Sequence, residues 1–217
     1  MNTSYGHNDR RGPTLSLASL LSASLLVSAC ALSGRVPAPP VATYVLEGTG
    51  AAPAIDPPQS NLVLKVSMPV AAPAFASSRI AYIEQPYRID YFARNEWVDP
   101  PARMLRPLLM RQLTNCGLFR FVFADSAGID ETIRLDSEIT ELVQTFSESS
   151  SEVRLSLHFD LVDVAHRAIL VSRTIAVTEP AARDPYAGVV AANRAVQRAL
   201  DQLVTLLHDP VIALGKD

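Results

Sequence analysis

The period of hydrophobic and polar positions changes several times along this chain, and each change marks an element. From Asn61, the residues Leu62, Leu64, Val66 and Met68 alternate with Val63, Lys65 and Ser67, which predicts a strand with one strong inner face. Residues 69–78 (PVAAPAFASS) read as a loop. Residues 79–84 (RIAYIE) and 87–92 (YRIDYF) read as two strands around a Gln85-Pro86 turn. At Asp99-Pro100-Pro101 a helix begins, with Asp suited to the N-cap and Pro to the first turn. Leu105, Leu108, Leu109 and Leu113 fall on its apolar stripe, and Arg103, Arg106 and Arg111 lie around the rest. Pro107 removes a backbone donor inside it and predicts a kink. Asn115-Cys116-Gly117 supplies the stop, with Gly for a left-handed cap.

The two-residue period then returns. Residues 118–123 (LFRFVF) predict a strand with Phe119, Phe121 and Phe123 on one face. Residues 131–146 predict a long strand. Its apolar phase, set by Ile133, Leu135 and Ile139, slips at Glu141-Leu142 as a β-bulge would make it. After a turn at 147–151 (SESSS), Val153, Leu155, Leu157, Phe159 and Leu161 alternate cleanly, and residues 163–167 turn the chain back into 168–177 (AILVSRTIAV). These three strands read as an antiparallel meander. Asp184-Pro185 opens a last helix with the stripe Val189, Val196, Leu200, Leu203 and Leu207, and residues 211–217 are expected to be a loose tail. Strands grouped between helices predict an α+β fold. The expected architecture is a single mixed, mostly antiparallel sheet with both helices packed on one face.

The first thirty residues follow different rules. Arg10 and Arg11 precede an apolar stretch, residues 15–27 (LSLASLLSASLLV), whose thirteen residues fall short of the roughly 20 that a spanning helix needs. A short apolar core behind a basic segment is a secretory signal. It ends in Leu26-Val27-Ser28-Ala29-Cys30, small residues before a cut and a cysteine just after it, the lipobox of bacterial lipoproteins. The thiol of Cys30 would carry diacylglycerol by a thioether, and two or three chains make an anchor stable. Ala31 follows; in a Gram-negative host, the absence of Asp there favours the outer membrane. Asp9 and the length of the basic segment point to a start codon further downstream. The expected organisation is therefore a signal peptide at 1–29, a lipidated cysteine and Pro/Ala-rich tether at 30–60, and one α+β domain at 61–210. The tether carries VPAPP at 36–40 and AAPAIDPP at 51–58, extended and semi-rigid sequences that would lift the domain off the membrane. Residues 43–46 (TYVL) interrupt it as a first short strand.

Composition narrows the function. Removing the leader takes away Arg10, Arg11 and Asp9, leaving 17 basic and 21 acidic residues, a net charge near −4 that does not suit a nucleic-acid binder. Cys116 is then the only free thiol, a structural cysteine at a helix end. No nucleophile elbow, glycine-rich phosphate loop or H-E-x-x-H motif occurs. His158, His166 and His208 are not spaced to share a metal. No catalytic residue, cofactor or metal site is expected. Asp136, Glu138 and Glu141 read as a solvated sheet face. Residues 82–97 (YIEQPYRIDYFARNEW) stand out for aromatic density and hold the only Trp. Tyr82, Tyr87, Tyr91, Arg94 and Trp97 form a candidate interaction surface, since Trp, Tyr and Arg are enriched at interface hot spots.

The lipobox, the Pro-rich spacer, Thr43-Tyr44-Val45-Leu46, Arg79-Ile80-Ala81, residues 91–97 (YFARNEW) leading into Pro100-Pro101, and the strand at 132–146 with the closing helix resemble the ABC-type transport auxiliary lipoproteins, the PqiC-like family. The resemblance covers most of residues 27–207. It implies a fold like the N-terminal domain of TolB and a non-enzymatic periplasmic component. The implied partners are an MCE-domain protein and an ABC permease and ATPase that move lipids between two membranes. It leaves a homo-oligomer open, and only Cys30 carries over as a site residue. The competing expectations are an assembly lipoprotein for an outer-membrane β-barrel translocon and, in a different class, a lipid or cell-wall hydrolase.

Overall fold

The computed structural model describes residues 1–2, 6, 39–48, 57–125 and 128–215. Most of residues 1–60, where a signal peptide and tether are expected, lies outside these described residues, and so does Cys30. The folded domain is the compact unit from Pro40 to Asp217. Among the described residues, no helix is long and apolar enough to cross a membrane.

Among the described residues nine strands form one open sheet: β1 (Ala42–Tyr44), β2 (Val63–Val66), β3 (Val70–Ala71), β4 (Arg79–Gln85), β5 (Arg88–Trp97), β6 (Phe121–Phe123), β7 (Ile133–Phe146), β8 (Ser151–Asp163) and β9 (Ala168–Ala181). Among the described residues two α-helices accompany them, α1 (Pro101–Asn115) and α2 (Pro185–Leu214). The fold is α+β, as expected.

The spine is β7. One of its edges carries β8 along its whole length, antiparallel, and β9 continues that meander. The other edge is covered piecewise by β2, β3 and β4, all parallel to β7. The chain from 63 to 85 is in effect one broken strand running beside β7. Pro69 and Pro73 stand in its two breaks, where a residue without an N–H could not have joined the ladder. From this broken strand, β6 extends β2, while β5 and then β1 extend β4. The sheet is therefore mixed, with five of its eight ladders parallel and the two longest antiparallel. By ladder it is mostly parallel, where the alternation in the sequence led to a mostly antiparallel expectation. The short parallel ladders join segments far apart in sequence and have no periodic signature.

The bulge lies where the sequence places it. The β7–β8 register shifts between Ile139 and Glu141. Before the shift, odd-numbered Ile133, Leu135 and Ile139 enter the main core; after it, Leu142 does. Val143 is thereby turned to the opposite face, into a small second cluster with Phe75 and Ala81. The main core sits between the sheet and both helices. Phe159, Leu157 and Leu161 of β8 share it with Leu109 and Leu113 of α1 and with Leu200, Leu203 and Leu207 of α2, none of them more than 2% exposed.

Both helices depart from expectation at their ends. The residue capping α1 is Pro100, without a side-chain bond, and Asp99 instead pairs with Arg103 at 3.6 Å. The helix passes through Pro107, which stands on its exposed side. Asp184 does cap α2, accepting from Ala187 N at 2.8 Å. That helix runs on through Pro210 to Leu214 in place of a loose tail, because Val211, fully buried one turn after Leu207, extends the apolar stripe. The expected aromatic face of β6 is also incomplete: Phe119 and Phe123 are buried, and Phe121 stays half exposed at the sheet edge.

Candidate interaction surface

The aromatic segment folds as the β4–β5 hairpin, with two register shifts that splay its side chains. Its two faces lead to different places. On one, Tyr82 stacks on Phe92 at 4.5 Å between centroids, and both meet Phe146 edge-on at 6.0 and 6.3 Å. The Arg183 guanidinium lies over the Phe146 ring at 5.4 Å. On the other, Tyr91 donates its hydroxyl proton to the Ala74 carbonyl at 3.0 Å, and Arg79 lies 3.8 Å above its ring. Tyr82 and Tyr91 are thus half-buried, and each is already engaged by its neighbours.

Trp97 belongs to the core. It is 3% exposed at the end of β5, where α1 begins, and its backbone N–H donates to Ser78 O at 2.7 Å. An indole is the largest apolar payload a side chain carries, and burial here anchors the hairpin to α1. Tyr87 and Arg94 are exposed. Tyr87 is at the hairpin tip, fully exposed, with a left-handed backbone at φ 67. That conformation is unfavourable for a residue with a Cβ, and Asn or Gly would hold the turn with less strain. Its neighbours are the Arg88–Asp90 ion pair, at 2.8 Å, and the exposed Ile89. Of the five candidate residues, the structure leaves Tyr87 and Arg94 free to touch a partner.

The remaining chemistry is structural in character. Burial pushes the Cys116 thiol up, which keeps it protonated. His166 is bound to Asp163 at 2.8 Å, and that hydrogen bond raises the imidazole. His158 bonds Thr174 at 3.1 Å and lies 3.4 Å from Asp160, on the polar face of the sheet away from the helices. Asp136 is pushed up by burial but, on balance, held low by bonds from Arg134 and Ser67. Arg134 in turn reaches both of its oxygens at 2.9–3.0 Å. Glu138 and Glu141 are half-exposed, and Glu141 pairs with Arg154 at 2.7 Å. No group of three or more His, Cys, Asp or Glu able to hold a metal occurs among the described residues.

Comparison with known proteins adds a family. The sequence model of the ABC-type transport auxiliary lipoprotein component matches residues 44–205. Among solved structures, a Xanthomonas campestris protein of family DUF330 is similar at 20% identity and a TM-score of 0.72, covering 82% of this chain and 100% of its own. An uncharacterized protein is similar at 15% identity and a TM-score of 0.62, with 77% and 99% covered. A hypothetical protein from Chlamydia trachomatis is similar at 9% identity and a TM-score of 0.50, with 71% and 99% covered. These likenesses are of fold. No curated protein matches the chain.

Proposed function

The chain belongs to the family of ABC-type transport auxiliary lipoprotein components, and on that premise we propose that it is a membrane-anchored, non-catalytic docking module of an MCE-associated lipid transport system. The match over residues 44–205 carries this reading. In it, Cys30 holds the lipid anchor on the periplasmic face of the outer membrane, and the Pro/Ala-rich segment spaces the domain from that membrane. The partners are an MCE-domain protein and its ABC permease and ATPase, whose apolar conduit the domain would dock. The energy source lies with the ATPase, so this chain needs no nucleotide site of its own.

The β4–β5 hairpin is the proposed contact, with Tyr87 and Arg94 touching the partner and Tyr82, Tyr91 and Trp97 supporting them from behind. A strained, fully exposed aromatic at the tip supports this reading. Tyr87→Asn separates the two roles. It is expected to leave urea stability unchanged or raise it by up to about 1 kcal/mol, since Asn tolerates the left-handed region. Recovery of the partner should fall in the same variant. Unchanged recovery would remove the tip from the interface.

The role itself is tested by a crosslinked pull-down of full-length protein from membranes, with Cys30→Ala as control. Recovery of an MCE-domain protein and its permease, weakened in the control, is the expected outcome. Recovery of a β-barrel instead, or a Cys30→Ala chain that still sediments with membranes, would overturn it.

A further inference from the structure

We propose that a groove on the outer face of α1 binds an anionic amphiphile, with the acidic head on Arg106 and the apolar tail along Pro107, Met110 and Ala124. The groove has a volume of about 510 Å³ and a mostly apolar wall. Arg106, Met110 and Thr114 recur every four residues and so lie in one row on α1, and Ala124, just after β6, also lines the groove. Such a wall does not need two cations, yet Arg106 and Arg111 both line it.

The two arginines differ. Arg111 Nη2 donates to the Gly48 carbonyl at 3.2 Å. Arg106 is only 12% exposed and is held through Nη1 alone, at 2.6 Å from Asp125. Its Nε and Nη2 have no acceptor among the described residues. A guanidinium presents a planar fork that favours two-pronged contact with a carboxylate or phosphate. Here half of that fork is unused in a place water does not reach, which is unfavourable until an acceptor arrives. Asp125 is 80% exposed, so it grips from the solvent side and can swing away. A carboxylate or phosphate on an apolar chain satisfies both features at once. Met110, unbranched and half-buried, is the wall residue best able to move aside for the entering oxygens.

The site rests on the groove alone, so its failure would leave the docking role standing, and failure of the pull-down would leave the groove standing. The test uses the full chain in phosphatidylcholine vesicles with a diazirine analogue of palmitate, mapping the labelled residues by mass spectrometry. Labelling within residues 107–124, absent with the matching uncharged alcohol probe, is expected. Arg106→Gln should lower it roughly tenfold or more. Asp125→Asn, which keeps an exposed oxygen within reach of Nη1, should raise it several-fold by removing the negative charge that offsets Arg106. Equal labelling by the alcohol, or no change in Asp125→Asn, overturns the proposal. Suppression by inorganic phosphate as strong as that by palmitate would make this a small-anion site and overturn it too.

Discussion

Gly188→Ala is expected to destabilise the domain by about 2–3 kcal/mol, although Gly→Ala inside a helix ordinarily stabilises by about 1 kcal/mol. Gly188 lies in the first turn of α2, against the end of β7. A Cβ there would stand 2.7 Å from Gln144 Cδ and closer still to Oε1. Gln144 is 2% exposed and is not free to retreat. The two protons of its Nε2 are shared among Ser151 Oγ at 2.9 Å and the carbonyls of Ala182 and Asp184, both at 3.2 Å. Ala182 and Asp184 lie in the short connection before α2, so this one amide ties the β9–α2 connection to the sheet. Moving it breaks those bonds inside the protein, where an orphaned amide costs about 1–3 kcal/mol. Urea unfolding of Gly188→Ala, Gln144→Ala and the double variant closes a cycle. The double variant should cost clearly less than the sum, because removing the amide removes the clash. A Gly188→Ala protein as stable as the parent, or strictly additive costs, would show that the contact does not restrain the helix.

The same helix shows what the sequence could and could not say. Its start was legible because Asp184 and Pro185 are local signals with a local cause, and the cap bond to Ala187 forms as expected. The slip of phase at Glu141-Leu142 was legible for the same reason: a bulge is a one-residue event written into the alternation. The end of α2 was not. Pro210 is a local stop signal, and it is overruled by Val211, whose burial depends on partners distant in sequence. Trp97 follows that logic too. A Trp beside Tyr and Arg reads equally well as contact or core, and only the turn of β5 into α1 decides that it is core. The Gln144–Gly188 contact joins elements tens of residues apart, and the half-used Arg106 fork depends on burial by such elements, so no spacing announces either. Cys30, a purely local motif, lies outside the described residues.

The second large effect concerns Glu179, a buried carboxylate held by two cations. Its side chain is 8% exposed, with Arg194 at 3.2 Å and Arg198 at 2.5 Å, both on α2. Arg194 also donates to the Pro180 carbonyl at 2.7 Å. The partners are unequal in a way that sets the sign of each substitution. Removing the two arginines leaves a charge stranded against the core, whereas removing Glu179 leaves two arginines that are half exposed and already hydrated. Arg194→Ala/Arg198→Ala is therefore expected to cost about 2 kcal/mol, below the usual range for breaking a buried pair, because solvent screens the exposed ends. Adding Glu179→Leu should recover most of that loss, since an apolar side chain suits the site. Acid provides an independent check. The Arg198 hydrogen bond, opposed by burial and aided by Arg194, holds the Glu179 carboxyl below its ordinary value. A carboxyl depressed in the folded state binds its proton more weakly there than in the unfolded chain. Its contribution is thus complete above the unfolded value of about 4.3 and is lost as pH falls through the lower folded value. Urea midpoints measured from pH 7 to pH 3 should fall less steeply at the acid end in the triple variant than in the parent. Parallel acid limbs in the two proteins, or a triple variant no more stable than the double, would mean that Glu179 is not the buried charge the geometry describes.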